Sequence, residues 1–300
     1  MSKRLLLGVI IVLLITNIAT LLFWSADKYV VVDSNGEDRK INSKKPAAMV
    51  DGTKISYNEW MTSLRENNGE KHLKTMIDQT VVKQLAGQKN IKVDEKVIDR
   101  EIALLTSTQG VMTEEETNRK EEKWREAITY RYQLEALLTE DVDIPADEIS
   151  KYYEAYHKQY DFKASRQFSH IVVENNETAE KIMKELDQGA SFHLLAQEYS
   201  IDEETKKDGG YLGFFVKESS FLPSEYDEKG DEMEERTYSN PFKSQDGITI
   251  LYLHRSLPSI TFTYDEIKPY IKNELALDKL DQSLTADTLW DELDIEWVYE

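Results

Sequence analysis

The first stretch of pattern in the chain has no alternation at all. From Leu5 to Trp24 there is no charge, and twenty residues at a 1.5 Å rise make about 30 Å of helix, enough to cross a hydrocarbon core. Lys3 and Arg4 precede it, which predicts a cytoplasmic N-terminus and residues from about 26 onward outside. A cleaved signal peptide is the competing reading; it wants small residues at its end, and Trp24-Ser25-Ala26 places a bulky Trp there. Residues 27–46 are polar around the turn signal Asp33-Ser34-Asn35-Gly36 and read as a tether. Ala48 to Ser56 predicts a short strand-turn-strand, with Ser56 as N-cap and Glu59 completing a capping box for the following helix.

Helical spacing dominates the next hundred residues. Leu73, Met76, Ile77, Thr80, Val81 and Leu85 form one predicted buried face. Val97, Ile98, Ile102 and Leu105 form a second, which Gly110 and the charged run Thr113 to Glu122 interrupt. Trp124, Ile128, Leu134, Leu137 and Leu138 make a third, and Ile149, Tyr152, Tyr153 and Tyr156 a fourth. These stripes read as the core of a helical bundle. The period then changes. Arg166–Val173, Gly210–Phe215 and Ile248–Arg255 are short alternating or apolar runs beside glycines, the signature of strands, with a helix over Thr178–Leu186 between the first two. Tyr264-Asp265-Glu266-Ile267 starts another helix with Ile267, Ile271 and Leu275 on one face. The tail from Thr288 to Trp297 is too apolar to hang free and is expected to pack back on the helices before residue 160.

Composition narrows the chemistry. The formal charge is -20 at pH 7, which repels nucleic acid and anionic headgroups and favours solubility. There is no cysteine, hence no disulfide framework, thiolate metal site or thiol nucleophile. The histidines His72, His157, His193 and His254 are scattered without ligand spacing, so no metal is expected. No cofactor is called for.

Between Arg166 and Arg255 a series of short motifs carries more information. Ser169-His170-Ile171 is followed by Gly189-Ala190-Ser191-Phe192 and by Ala196-Gln197-Glu198-Tyr199-Ser200-Ile201-Asp202. Then come Gly209-Gly210-Tyr211-Leu212-Gly213-Phe214-Phe215, Leu222-Pro223-Ser224-Glu225-Tyr226, Ser239-Asn240-Pro241-Phe242 and Gly247-Ile248-Thr249-Ile250-Leu251. In this order they resemble a parvulin-type (PpiC, rotamase) peptidyl-prolyl isomerase domain. With the apolar N-terminal run, the Met49–Trp60 opening and the Thr288–Tyr299 ending, residues 47 to 300 resemble the PrsA/SurA-type extracytoplasmic foldases, nearest the Bacillus YacD-like branch.

The resemblance implies an α+β fold: a parvulin-like domain, with a four-stranded antiparallel sheet and surrounding helices, inserted in a discontinuous helical chaperone domain after an N-terminal transmembrane helix. The implied boundaries are 1–26 for the cytoplasmic tip and anchor, 27–46 for the linker and 47–162 for the N-terminal helical domain. The parvulin-like domain would take 163–256, and the C-terminal helices 257–300. It implies a single-pass membrane protein with most of the chain outside. Its partners would be unfolded or partly folded exported polypeptides with X-Pro bonds, and the membrane through residues 5–24. Related foldases can dimerise, though no heptad run here demands it.

Residue by residue, His170 matches the family's first-strand histidine, and Asp202 the Asp-or-Cys position. Leu222 stands where Met is usual and Tyr226 where Phe is usual; with Phe214 or Phe215 they are expected to wall a proline pocket. Thr249 replaces the second histidine, Tyr211 stands at a usual Asp, and Arg236 at a usual Gly. The stretch Lys229-Gly230-Asp231-Glu232 is charged where small and apolar residues are usual. The leading expectation is an isomerase that assists folding. The alternatives are a non-catalytic binding chaperone on the same scaffold and a structural partner in a membrane assembly.

Overall fold

The computed structural model describes residues 29–34, 37–280 and 284–299, and the side chains from residue 40 on. The predicted anchor over Leu5–Trp24 lies outside the described residues, among which no helix is long and apolar enough to cross a membrane. The chain divides into two units, Met1–Gln84 with Ala286–Glu300, and Leu85–Thr285.

In the first unit β1 (Tyr29–Ser34) pairs antiparallel with β2 (Glu37–Asn42). The predicted polar tether therefore contains a hairpin around its turn signal. A second pair joins β3 (Pro46–Val50) to β4 (Thr53–Ser56), with Asp51 and Gly52 at positive φ in the turn. Ser56 then caps α1 (Tyr57–Leu64), its Oγ accepting from the Glu59 N–H at 3.1 Å. A π-helical turn, Arg65–Gly69, leads into α2 (Glu70–Gln88), inside which the boundary between units falls. The expected buried face of α2 is shifted. Met76 is 50% exposed and Thr80 is exposed, whereas Val81, Val82, Leu85 and Ala86 are buried. The tail belongs to this unit: Trp290 Nε1 donates to Asp78 Oδ1 at 2.7 Å, and Trp290 meets Trp297 edge-on at 5.4 Å.

The second unit begins with helices. α3 (Glu95–Ser107) is capped by Asp94, and α4 (Glu114–Leu138) by Thr113 in a complete capping box with Glu116. The charged run after Thr113 thus starts a long helix rather than interrupting one. Its acidic first turn, Glu114-Glu115-Glu116, complements the helix N-terminus, and its apolar stripe begins only at Trp124. α5 (Ala146–Tyr156) follows, and its Ile149 shares a core with Val97, Ile144, Phe262, Ile267 and Ile271.

A sheet is built on β5 (Ser165–Val173), followed by α6 (Asn176–Asp187), α7 (Phe192–Tyr199), β6 (Tyr211–Val216) and α8 (Ser224–Glu232). It is completed by β7 (Thr237–Tyr238), β8 (Phe242–Lys243) and β9 (Ile248–Leu257); α9 (Tyr264–Leu280) closes the unit. The strand order is β6-β5-β9-β7, all antiparallel, with β8 also on β9. Five strands replace the expected four. The last is split because Asn240-Pro241 intervenes, and proline has no N–H for a ladder. Ile171, Val173 and Ile250 pack against α6 and α7 through Ile182, Leu186 and Leu195. Phe168, Leu251 and Leu253 pack with Tyr226 of α8.

Candidate active site

Strand alternation sets the site. Arg166, Phe168 and His170 of β5 all turn toward α8: Arg166 Nη1 donates to the Asp227 carbonyl, Phe168 packs on Tyr226, and His170 Nδ1 lies 2.7 Å from the Tyr226 hydroxyl. His170 pairs with Leu251 in the centre of the sheet and is only 6% exposed.

The other ring nitrogen faces a loop. α7 ends at Tyr199, and the Ile201 N–H donates to the Val172 carbonyl at 2.8 Å, which fixes Asp202 beside the strand. His170 Nε2 sits 2.8 Å from Asp202 Oδ2 and 3.0 Å from Thr205 Oγ1, and the Thr205 hydroxyl donates to the same Oδ2. Burial pushes the Asp202 carboxyl up, but the bonds from Thr205 and His170 outweigh it and hold its pKa below the ordinary value. Asp202 is therefore ionised at neutral pH. Its side chain is 24% exposed, and it is the face this cluster offers to solvent.

Behind His170 the polar chain continues inward. Tyr226 and Thr249 are 0% exposed. Burial pushes the Tyr226 phenol well up, while a hydrogen bond from Thr249 acts in the opposite direction. Thr249 Oγ1 in turn lies 2.8 Å from Ser244 Oγ. Beside the cluster, Leu212, Leu222, Met233 and Phe242 pack half-buried on Phe168 and Tyr226, with Phe242 edge-on to Tyr226 at 5.9 Å.

Of the residues expected to wall a proline pocket, Leu222 packs half-buried on this cluster, and Tyr226 is fully buried with its hydroxyl bonded to His170. Phe214 packs with Ala103, Phe162 and Leu257, and with Gln167, Tyr252 and His254 it lines a separate cavity of about 540 Å³. Phe215 sits opposite Arg166 in the ladder, outside the Tyr226 cluster. Phe214 sits opposite Gln167, on the face away from Phe168. A bulge follows: β5 pairs Phe168 with Gly213 and Ser169 with Tyr211, which leaves Leu212 as the extra residue, and Leu212 packs on the Phe168–Tyr226 cluster.

The unusual residues are engaged elsewhere. The Tyr211 hydroxyl accepts from Gln167 Nε2 at 2.8 Å, and Arg236 pairs with Glu114 at 2.5 Å from a left-handed backbone at φ 63°. Asp231 pairs with Arg166 and Lys217, so the charged end of α8 is neutralised locally. Sequence reasoning missed Thr205, Ser244 and Met233. Thr205 had one local signal, its place three residues after Asp202; Ser244 and Met233 had none.

The chain resembles known proteins over most of its length. The family model described as "PPIC-type PPIASE domain" matches residues 144–269. The Bacillus subtilis protein named "Putative peptidyl-prolyl cis-trans isomerase YacD" is 35% identical over 259 residues, covering 86% of this chain and 87% of its own. The foldase protein PrsA of Halalkalibacterium halodurans is 30% identical over 246 residues, covering 78% of this chain and 71% of its own. Among solved structures, Bacillus cereus PrsA aligns over 86% of this chain and 95% of its own at 22% identity, with a TM-score of 0.33.

Proposed function

Because the chain belongs to the family of PPIC-type peptidyl-prolyl isomerases, we propose that it catalyses cis-trans isomerisation of X-Pro bonds in exported polypeptides, at the site formed by Asp202, Thr205 and the wall of Leu212, Leu222, Met233 and Phe242. In this reading residues 163–256 carry the site, and residues 47–162 with 257–300 form the helical frame. Leu5–Trp24 anchors the protein so that the rest lies outside the cell membrane. The observation that supports the site most directly is the Asp202 carboxylate held by His170 and Thr205, with half-buried apolar side chains packed on Tyr226, the other partner of His170.

The reaction makes and breaks no covalent bond. The amide must pass through a twisted state about 18–20 kcal/mol up. Twisting ends the resonance that places negative charge on the carbonyl oxygen and returns the electron pair to nitrogen. A carboxylate beside the carbonyl repels the planar forms more than the twisted one, which lowers the barrier by raising the ground state relative to it. The apolar wall holds the proline ring while the preceding residue turns. Bringing tens of seconds to milliseconds takes about 5–6 kcal/mol, at about 1.36 kcal/mol per tenfold. Asp202 is the group that touches substrate; His170, nearly enclosed, holds it in place.

The test is exchange NMR on a short X-Pro peptide with the full chain in detergent. Acceleration is expected, falling by about tenfold to a hundredfold in Asp202→Asn. A wild-type chain no faster than the spontaneous reaction would refute the proposal.

A second reading, a binding chaperone, is favoured by the first unit. Met49, Val50, Trp60, Leu64 and Met76 are exposed there, more apolar surface than an isolated helix-and-hairpin unit needs. It predicts that aggregation of an unfolded client slows equally with wild type and Asp202→Asn.

A further inference from the structure

The hydrogen bonds behind His170 form one directed chain, and Asp202 fixes its direction. A carboxylate accepts only. Oδ2 therefore takes the Thr205 hydroxyl proton and the proton on His170 Nε2. A neutral imidazole with its proton on Nε2 has a bare Nδ1, which can only accept. Among the described residues the group at hydrogen-bond distance from Nδ1 is the Tyr226 hydroxyl at 2.7 Å, which must then donate. Deeper in the core, Thr249 Oγ1 and Ser244 Oγ share a hydrogen bond at 2.8 Å.

We infer that Tyr226 is the positioning residue that holds the ring plane of His170 by donating to its bare Nδ1, while Asp202 sets the tautomer. The catalytic consequence rests on the function proposed above. The hydroxyl is delivered from α8, so the sheet position at Thr249, which cannot supply an imidazole, need not reach His170 itself. Of the two substitutions noted in the sequence, Tyr at 226 thus supplies a hydrogen bond to the imidazole that Thr at 249 does not: a phenol oxygen takes the hydrogen-bonding place beside Nδ1.

Burial gives this arrangement its force. Tyr226, Thr249 and Ser244 are at most 7% exposed, so water does not substitute readily for a missing partner. An ordinary core tyrosine sends its hydroxyl to a backbone carbonyl or to the surface. This one is aimed at a ring whose other nitrogen holds the solvent-facing carboxylate. Losing the phenol O–H leaves Nδ1 without a donor in the core, so the ring is held from the Asp202 side alone and can turn, carrying the carboxylate with it.

The experiment is 15N NMR of the histidine rings in the full chain in detergent, at about pH 8.5 where an ordinary histidine is neutral. There are five histidines, assigned by single substitutions. Wild-type His170 should show the Nε2–H tautomer, with its Nδ1 signal displaced upfield by the hydrogen bond it accepts. Tyr226→Phe, which keeps the ring and removes only the oxygen, should move that Nδ1 signal to the value of an unbonded nitrogen, with the proton still on Nε2, and lower kcat/KM by about tenfold through kcat. The wild-type signal decides the matter if Tyr226→Phe fails to fold: an Nδ1 value of an unbonded nitrogen overturns the inference, whatever the activity. An unchanged Nδ1 signal in Tyr226→Phe overturns it likewise. The expected shift in a protein with no wild-type isomerisation sustains it and removes the enzymatic reading instead.

Discussion

Gly210 is where the site tolerates least. It precedes β6 at φ +75°, and a Cβ built there would stand 1.9 Å from the His170 carbonyl oxygen. An ordinary carbon-oxygen contact is about 3.3 Å, so the strand must retreat by about 1.4 Å. β5 cannot do so cheaply. It is laddered to β9 through His170 and Leu251, and its His170 N–H donates to the Gly210 carbonyl at 2.8 Å. In Gly210→Ala the left-handed backbone costs about 1–2 kcal/mol, and a buried backbone pair broken by the shift about 1–3 kcal/mol more. The expected loss is about 2–5 kcal/mol. Gly209→Ala is the internal control. Its φ is +67° and its Cβ would also meet an atom at 1.9 Å, but that atom is Nδ1 of His193, an exposed side chain that can swing away from Gln197. Only the backbone cost of about 1–2 kcal/mol remains. Hydrogen exchange at the β5 amides Phe168 and Val172 reads the difference directly, and the isomerisation assay should fail in Gly210→Ala before it fails in Gly209→Ala. Equal protection in the two variants would refute the claim that backbone contact, rather than φ alone, fixes this turn.

Two further outcomes follow from single groups. His254 accepts or donates at Ser169 from a mostly enclosed position, and burial lowers its pKa from 6.5 to about 4. Between those values the unfolded chain binds a proton that the folded one does not, so stability is lost as pH falls from about 6.5 to 4, by up to about 3 kcal/mol. His254→Gln should flatten that part of the urea-midpoint profile, and an identical slope in both proteins would exclude this histidine as the cause. Thr113→Ala removes the side-chain half of the cap of α4 and should cost about 1 kcal/mol, read as a lowered urea midpoint; no change would mean that the acidic first turn suffices without it.

What the sequence by itself determined was local. The strands at Arg166, Gly210 and Ile248 and the cap at Ser56 follow from period and turn residues within a few residues. His170, Asp202 and Leu222 were singled out by motif order, but not that the first two meet. The charged run after Thr113 misled because its apolar face begins only at Trp124, nearly three turns into the helix, beyond the reach of a local break signal. What only the tertiary structure decided was which side chains meet across distance. One bulge opposite Phe168 and Ser169 puts Leu212 and Phe214 on different faces of β6, so Leu212 packs on Phe168 and Tyr226 while Phe214 packs with Phe162 and Leu257. Tyr226 lies 56 residues from His170, and only the docking of α8 on the sheet turns its hydroxyl toward Nδ1. A side chain read as an apolar wall becomes a hydrogen-bond donor in the core because burial leaves its oxygen no water, and the ring beside it has one nitrogen to offer.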